Sequence, residues 1–319
     1  MPASGEPCLD LHLVFLGTSG AIPTVDRGSP ALLLIRGGER ILIDCGEGTQ
    51  RQLMRSVGLA RIGMILITHL HGDHYLGLPG LLKSLSLLGR EEPLLLFGPE
   101  GLYEMLRDAE RLVGRPRFPF LVEEARSGTV LERADYWLKT APTDHGLPGL
   151  AWCLEEKPRA GLFHPERALE AGVTPGPDFG RLQRGEAVTT PEGREVLPEE
   201  VMESSRQGRK VVVTGDTRPA PPVIDLAMGA SVLVHDSTFG CSERERALET
   251  GHSTAREAAE VACAAQVTTL VLTHLSSRHG WRELRDEARA VFPGSLLPRD
   301  LDTLMVPYPE KGAARLERV

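Results

Sequence analysis

Three histidines and one aspartate lie within six positions of the chain. Residues 68–74 run Thr-His-Leu-His-Gly-Asp-His, which places His69, His71, Asp73 and His74 directly after an apolar segment. Imidazole and carboxylate groups are the ligands that suit zinc and related metals. Four such groups add no stability by packing closely, because each costs desolvation free energy if it is buried without a partner. The cluster therefore predicts a metal site, and a histidine-rich polar loop is the alternative.

Three further candidate ligands lie far from this cluster in the chain. His145 occurs in Thr-Asp-His-Gly, Asp216 in Thr-Gly-Asp-Thr, and His274 in Leu-Thr-His. Together with the cluster they make seven. Seven ligands with one shared carboxylate suffice for two metal ions, each with room left for water or substrate. The residues alone thus predict a hydrolase with two metals.

Short apolar or β-branched segments, separated by Gly, Pro and Asp, are expected to position these ligands. The segments that follow this pattern predict strands at 11–16, 31–36, 40–44, 63–68, 210–214, 231–235 and 269–273. Helical spacing of apolar residues predicts helices at 48–57, 76–88, 254–265 and 281–291, with Ser253-Thr254 capping the third. The later strands deliver His or Asp at their C-terminal ends, where α/β proteins usually place their sites.

One internal similarity connects the two halves of the chain. Residues 65–74 align without gaps to residues 270–279 and match at Thr, His, Leu and the final His. As a true repeat, the match would predict equivalent strands in two halves, each presenting a histidine to a shared cleft. A chance match is the alternative.

Composition bounds the class of protein. The 319 residues are 41% hydrophobic and 25% charged, which is typical of a soluble globular chain, and no apolar run approaches the roughly 18 residues of a spanning helix. No basic residue precedes the apolar segment 11–16, so we expect no secretory signal, no membrane association and a cytoplasmic location. The net charge of −8 argues against a broad basic surface for nucleic acid, but not against a local site. The five scattered cysteines are expected to be reduced.

Residues 155–208 differ from the rest of the chain in their frequent prolines, glycines and charges. The centre of this segment, Gly-Val-Thr-Pro-Gly-Pro at 172–177, cannot continue a helix or a central strand. We therefore predict one metallo-hydrolase domain over 1–319 with an inserted arm at 155–208. The arm is either a long surface loop or an element that grips substrate.

The cluster and the distant motifs together resemble a known family. His-x-His-x-Asp-His at 69–74 is the signature of the metallo-β-lactamase superfamily. Further matches are Phe-Leu-Gly-Thr-Ser-Gly at 15–20, Asp-Cys-Gly-Glu-Gly-Thr-Gln at 44–50, Gly-Asp-Thr-Arg at 215–218 and His-Ser-Thr at 252–254. In this combination the chain resembles ribonuclease Z, the endonuclease family that trims the 3′ end of precursor transfer RNA.

The resemblance implies an αββα sandwich of two mixed β-sheets with outer helices. It also assigns ligands: His69, His71 and His145 to one zinc, Asp73, His74 and His274 to a second, and Asp216 as the bridge between them. Mn²⁺ or another divalent ion could substitute. Two such ions lower the pKa of a shared water and neutralise the phosphodiester oxygens.

A general acid is needed for the leaving 3′ oxygen, and the resemblance assigns this role to His252. Asp73 would orient the nucleophile or accept its proton. In the family, the glutamate of a His-Glu-Ala-Thr motif orients the histidine, whereas this chain has His-Asp-Ser-Thr, so that Asp236 takes that place with a side chain one methylene shorter. The predicted catalytic residues are therefore Asp73, His252 and Asp236.

Two further segments are expected to contact substrate. Family members often have Pro-x-Lys-x-Arg-Asn where this chain has Pro-Thr-Val-Asp-Arg-Gly at 23–28, so only Arg27 matches, which leaves CCA discrimination open. Gly-x-x-Pro-Gly-Pro at 172–177 resembles the exosite that holds transfer RNA for the dimer partner, with Gly176, Pro177, Arg181 and Arg184 as candidate contacts. Between 155 and 195 six basic residues stand against eight acidic ones, so any phosphate contact must be local.

The remaining polar residues have plainer interpretations. Asp44 is expected to support the metal loop through hydrogen bonds. His235 is either a similar support or a core histidine, and His12, His164 and His279 are treated as ordinary residues.

The overall prediction is a zinc-dependent endoribonuclease that yields 5′-phosphomonoesters, acts on precursor transfer RNA and forms a homodimer. Two alternatives remain. One is a phosphodiesterase or sulfatase of the same superfamily that acts on small esters, and the other is a protein that binds transfer RNA without cutting it.

Overall fold

A computed structural model describes residues 9–59 and 61–318 of the chain. Residues 1–8, which include Cys8 and most of the segment behind the localisation prediction, lie outside the described residues. Among the described helices, none is long and apolar enough to cross a membrane.

The first half of the chain alternates strands with short helices. Its elements are β1 (Leu11–Gly17), β2 (Ala31–Arg36), β3 (Glu39–Ile43), α1 (Thr49–Ser56), β4 (Met64–Leu66), α2 (Gly72–Tyr75), α3 (Leu78–Leu87), β5 (Leu94–Gly98), α4 (Leu102–Val113), β6 (Phe120–Glu124), β7 (Gly128–Glu132), β8 (Tyr136–Pro142) and β9 (Leu150–Glu156). The strands β1, β2, β3 and β4 lie close to the bounds predicted from the sequence, whereas β5 to β9 were not predicted.

A small unit comes next, made of α5 (Pro165–Glu170), α6 (Pro177–Gln183), β10 (Val188–Thr189), β11 (Glu195–Val196) and α7 (Pro198–Val201). The chain then continues through β12 (Lys210–Val213), α8 (Pro221–Ala227), β13 (Val232–Asp236), α9 (Arg244–Thr250), α10 (Ala255–Ala264), β14 (Leu270–Thr273), α11 (Trp281–Arg289), β15 (Thr303–Met305) and β16 (Arg315–Glu317). At the start of α10, Thr254 and Glu257 cap each other's backbone N–H groups, as predicted.

Two mixed sheets form the main unit, residues 1–155 and 209–319. One has the strand order β16-β15-β1-β2-β3-β4-β5-β6 and the other β14-β13-β12-β9-β8-β7. In each sheet an antiparallel part passes into a parallel run, β3-β4-β5-β6 in the first and β12-β13-β14 in the second. The carboxyl ends of parallel strands meet at one sheet edge. The segments that carry His69–His74, Asp216 and His274 follow these ends of β4, β12 and β14.

Alternating side chains put apolar residues on both faces of each sheet. Leu32 and Leu34 of β2 pack between the sheets with Trp152 and Val213, while Leu33 faces a second core beneath helices α1, α3 and α4. The other sheet has its own outer core, in which its strands pack against α8, α10 and α11. The layers are therefore helix, sheet, sheet and helix, and the predicted αββα sandwich is confirmed.

The helix predicted at 76–88 is confirmed as α3 (Leu78–Leu87), and Gly77 separates it from the short helix α2. The Gly77 N–H donates to the carbonyl of Cys45, and a Cβ at Gly77 would lie 2.1 Å from the carbonyl oxygen of Gly46. This close approach of two backbones separates α2 from α3. Cys45 itself is fully buried, and burial raises the pKa of its thiol to about 12.

Residues 156–208 form a second compact unit. Its helices and the β10–β11 hairpin enclose a small apolar core of Ala168, Val173, Leu182, Val188, Val196 and Val201. A long surface loop has no such core, so this alternative for the arm is wrong. Residues 173–176 lie outside any helix or strand, and α6 begins at Pro177, which follows Gly176.

The match between residues 65–74 and 270–279 does not join equivalent strands. β4 is the second strand of its parallel run, whereas β14 is the third of the run in the other sheet. The expectation of equivalent strands is therefore wrong, although each of the two segments does place a histidine at the same cleft.

Candidate metal centre

The loop after β4 begins beyond Leu66, and Thr68 lies at its start. The Thr68 N–H donates to Oδ1 of Asp44, at 2.8 Å, instead of continuing a ladder. Two of the histidines that follow, His69 and His74, are buried, while His71 lies at the surface. This turn delivers all three imidazoles to one side of the sheet edge.

The first group of candidate ligands brings three histidines to one carboxylate. Nε2 of His69 and Nε2 of His145 each lie 3.0 Å from Nδ1 of His71. Oδ2 of Asp216 is 3.5 Å from Nε2 of His69 and 3.7 Å from Nε2 of His145. All four residues offer a ligand atom within 4.8 Å of the others. Such a set fits one metal ion.

A second group of three residues lies on the other side of Asp216. Oδ2 of Asp73 is 3.6 Å from Nε2 of His74 and 3.4 Å from Nε2 of His274. Asp216 contacts this group too, with Oδ1 at 3.4 Å from His74 and Oδ2 at 3.3 Å from His274. The structure thus brings all seven predicted ligands together, with Asp216 between the two groups.

Two buried polar atoms show that the donor set fits a cation. Within the described residues, Nε2 of His74 and Oδ1 of Asp216 are buried and make no hydrogen bond. Burial would lower the pKa of His74, but the carboxylates of Asp216 and Asp44 outweigh it and hold that pKa well above the ordinary value. These two carboxylates therefore favour a positive charge at this position. A divalent ion would supply that charge in place of a proton.

Side chains behind the ligands fix their orientation, as such groups do in metal sites generally. Asp44 Oδ2 lies 2.7 Å from Nδ1 of His74 and accepts from the Thr68 hydroxyl at 2.9 Å. Nδ1 of His145 lies 2.7 Å from the carbonyl of Gly251. The expected support of the loop by Asp44 is what these contacts provide.

The predicted acid lies next to these ligands. Nδ1 of His252 is 2.9 Å from Oδ2 of Asp236, and its ring stacks on that of His274 with centroids 5.2 Å apart. Burial lowers the pKa of His252, but Asp236 and Asp216 overcome this and raise it to about 9. An imidazole of this kind can hold a proton at neutral pH and give it to an oxygen.

Sequence reasoning missed two hydroxyls. Oγ1 of Thr68 lies 3.1 Å from Nδ1 of His69, and Oγ1 of Thr238 lies 2.8 Å from Nδ1 of His274. Each threonine stands within two residues of a predicted site residue, which was the available signal, but threonine is also common at strand ends.

Arg27 is turned toward the protein. Its guanidinium donates to the hydroxyl of Thr18 and to the carbonyl of Pro298, and it lines an open cavity of about 570 Å³ beside α1. Asp300 braces the same loop, since it accepts from the Gly28 N–H at 2.6 Å and from the Thr18 hydroxyl at 2.8 Å.

The arm residues pair with acidic neighbours. Arg181 lies 3.2 Å from Glu186 and 3.4 Å from Asp178, and Arg184 lies 3.3 Å from Glu186. All these side chains are well exposed, so the pairs contribute little stability.

The other histidines lie away from the ligands. His235 is fully buried, with Nδ1 2.8 Å from the carbonyl of Asp236, as in a core histidine. His164 pairs with Glu166 and Glu203, and His279 with Glu243. His12 lies within β1.

The fold and this arrangement of ligands define a protein of the metallo-β-lactamase type. The family model described as metallo-β-lactamase superfamily matches residues 24–158. The structure is similar to that of human tRNase Z, short form, with a TM-score of 0.68 and 27% identity, covering 93% of this chain and 99% of that one. A metallo-β-lactamase fold protein from Bacillus subtilis, YhfI, also has a TM-score of 0.68 at 18% identity, with 93% and 99% covered, and supports the fold alone.

Sequence comparison identifies the family of this chain within the metallo-β-lactamase superfamily. The chain is 45% identical over 309 residues to ribonuclease Z of Natronomonas pharaonis, covering 95% of this chain and 100% of that protein. It is 46% identical over 300 residues to ribonuclease Z of Methanothermobacter thermautotrophicus, covering 93% and 97%. The chain belongs to the ribonuclease Z family, which confirms the predicted family.

Proposed function

We propose that this protein is a metal-dependent endoribonuclease that removes the 3′ trailer from precursor transfer RNA. The observation that carries the proposal is the position of His252 beside seven candidate metal ligands, with Asp236 bonded to its Nδ1. A site that only binds metal has no need of such a proton donor. The family relationship supplies the substrate.

Two zinc ions per subunit are the proposed cofactors. The donor types suit zinc: His69, His71 and His145 would hold one ion, Asp73, His74 and His274 the other, and Asp216 would bridge them. When bound, the ions would supply a hydroxide nucleophile near neutral pH and neutralise the negative charge of the phosphodiester.

Residues of the chain then orient the nucleophile and protonate the leaving oxygen. Asp73, whose Oδ2 accepts from the Ala21 N–H at 3.1 Å, orients the attacking oxygen. As the new P–O bond forms, the bond between phosphorus and the 3′ oxygen of the transfer RNA breaks. His252 gives its Nε2 proton to that 3′ oxygen, and Asp236 stabilises the imidazolium until then. The products are a 3′-hydroxyl on the transfer RNA and a 5′-phosphate on the trailer.

The compact unit at 156–208 is proposed as the transfer-RNA exosite of a homodimer, acting for the partner subunit. Gly176, before the start of α6, offers a backbone N–H to a phosphate, Pro177 fixes the chain direction there without a donor of its own, and Arg181 and Arg184 offer charge. The proposed location is the cytoplasm, as expected from the sequence.

One assay tests the proposal. Purified protein is incubated with 3′-extended precursor transfer RNAs, with and without CCA and with and without chelator, beside His252→Ala and the control His12→Ala. We expect cleavage by the wild type and the control, abolished by chelator and strongly reduced in His252→Ala. Intact precursor in every lane despite bound metal would contradict the endonuclease proposal.

The two alternatives give different results. A hydrolase of small esters would cleave a chromogenic phosphodiester and leave precursor transfer RNA intact. A protein that only binds transfer RNA would shift the precursor in a gel and cleave neither substrate.

A further inference from the structure

The Thr238 hydroxyl joins two parts of the site that the proposed function treats separately. Thr238 follows β13 and is buried. Its Oγ1 lies 2.6 Å from Oδ1 of Asp236, the partner of the acid, and 2.8 Å from Nδ1 of His274, a candidate metal ligand. One hydroxyl therefore contacts both the acid pair and the ligand set.

A hydroxyl has one proton to donate, and its neighbours decide where that proton goes. Both oxygens of Asp236 accept backbone N–H groups, Oδ1 from Thr238 and Oδ2 from Thr217, each at 3.0 Å, so this carboxylate acts as the acceptor. The Thr238 proton thus points to Asp236, and the oxygen is left to accept from Nδ1–H of His274. This assigns the Nδ1–H tautomer to His274.

That tautomer leaves the other ring nitrogen free to bind a metal. Nε2 of His274 carries the lone pair, and it lies 3.4 Å from Oδ2 of Asp73 and 3.3 Å from Oδ2 of Asp216. In the opposite tautomer Nε2 would carry a proton and could not ligate.

The other sheet has the same arrangement with different residues. The Thr68 hydroxyl donates to Oδ2 of Asp44 and lies 3.1 Å from Nδ1 of His69, whose Nε2 is 3.5 Å from Oδ2 of Asp216. The two sheets thus each supply a carboxylate, a threonine and a ligand histidine in the same bonding order.

We propose that Thr238 is a positioning residue that sets the tautomer and orientation of His274 and thereby the metal affinity of the second ion site. The inference rests on the proposed metal centre but not on the identity of the RNA substrate. It assigns to the hydroxyl a role that a merely buried threonine does not have.

The test measures metal binding rather than turnover. Thr238→Val and Thr238→Ala remove the hydroxyl, Thr238→Ser keeps it, and Thr140→Val is the matched control. Thr140 is equally buried, in β8 of the same sheet, and its hydroxyl donates to the carbonyl of Arg126 at 2.9 Å, away from the site. Zinc affinity is measured by competition with a chromogenic chelator, Co²⁺ coordination by visible absorption, and folding by thermal unfolding of the metal-free proteins.

We expect the valine and alanine variants to bind one of two metal ions about tenfold to a hundredfold more weakly, which is the usual effect of losing a group that orients a ligand. Their Co²⁺ spectrum should change, while Thr238→Ser and Thr140→Val should match the wild type. If Thr238→Val fails to fold without metal, the comparison of Thr238→Ala with Thr238→Ser tests the proposal instead.

Three outcomes overturn the proposal. Equal affinity and an unchanged Co²⁺ spectrum in Thr238→Val remove the role of Thr238 and leave the metal centre intact. If Thr140→Val or Thr238→Ser binds metal as weakly as Thr238→Val does, the cause is a general loss of packing. If the wild type itself binds no metal, the proposed metal centre and this inference both fall.

Discussion

His252 and Asp236 form a hydrogen bond of 2.9 Å between Nδ1 and Oδ2, although the carboxylate is one methylene shorter than the glutamate usual in this motif. The aspartate reaches because it sits at the end of β13 and is itself oriented by the N–H groups of Thr217 and Thr238, both at 3.0 Å. The shorter side chain thus keeps the contact on which the proposed acid depends.

The first prediction concerns the leaving group. In His252→Ala we expect kcat for precursor transfer RNA to fall by about 10²–10⁴, because the ribose oxygen must leave with a proton. Hydrolysis of bis(p-nitrophenyl) phosphate should fall far less, since nitrophenolate leaves without one. Steady-state rates on both substrates, with metal content measured in parallel, check this. An equal loss on both substrates would argue against an acid role.

The second prediction concerns pH. A general acid works only while protonated, so kcat should fall as pH rises through the pKa of His252. Asp236 and Asp216 raise this pKa to about 9, and the positive charge of bound metal ions would bring it down. We therefore expect an alkaline limb with its midpoint at or below about 9.

The variant Asp236→Asn should move that limb to lower pH, because it removes the charge that contributes most to raising the pKa. Complete profiles of kcat against pH for both proteins make the comparison. An unmoved midpoint would show that another group controls the alkaline limb.

The third prediction concerns Asp216, which contacts both groups of ligands. Asp216→Asn keeps the size of the side chain, but it removes the negative charge and replaces one of the two ligand oxygens with an NH2 group. We therefore expect loss of at least one metal ion and of activity. The metal-dependent rise in Tm should shrink in the same variant, because a ligand that binds only the folded state stabilises it. Metal analysis and thermal unfolding with and without Zn²⁺ measure both effects, with Asp144→Asn as a control at a surface carboxylate paired to Arg218.

The ligands could be predicted from the sequence because four of them lie within six positions, Asp216 and His274 closely follow predicted apolar strands, and His145 lies in a matching motif. What the sequence could not predict depends on contacts between distant segments. The helix break at Gly77 follows from the backbone of Gly46, and the brace on the Arg27 loop comes from Asp300, more than 270 positions away. The frequent prolines, glycines and charges of the arm left a surface loop and a substrate-gripping element as alternatives, whereas six buried apolar residues form a small core there.

The fourth prediction concerns charge on the arm. Glu186 lies within 3.3 Å of both Arg181 and Arg184 and so competes with phosphate for them. Glu186→Gln should therefore tighten binding of precursor transfer RNA, and Arg181→Ala should weaken it and reduce the slope of log K against log salt by about one. Binding titrations at several salt concentrations, with Glu200→Gln as the control for the separate Arg194 pair, decide this. Unchanged affinity in all of the arm variants would contradict an exosite that uses these arginines.

The last prediction removes the arm altogether. Lys210 pairs with Glu155 across the antiparallel strands β12 and β9, so the two ends of the insertion lie side by side, and a linker of about three residues can replace residues 156–208. The four core clusters found in the described part of the main unit contain no residue of the arm, so the shortened protein should fold and bind metal. It should retain hydrolysis of bis(p-nitrophenyl) phosphate and lose affinity for precursor transfer RNA, measured as a rise in KM with little change in kcat. Full cleavage of the precursor at unchanged KM would show that the main unit alone recognises transfer RNA, and that the arm has another purpose.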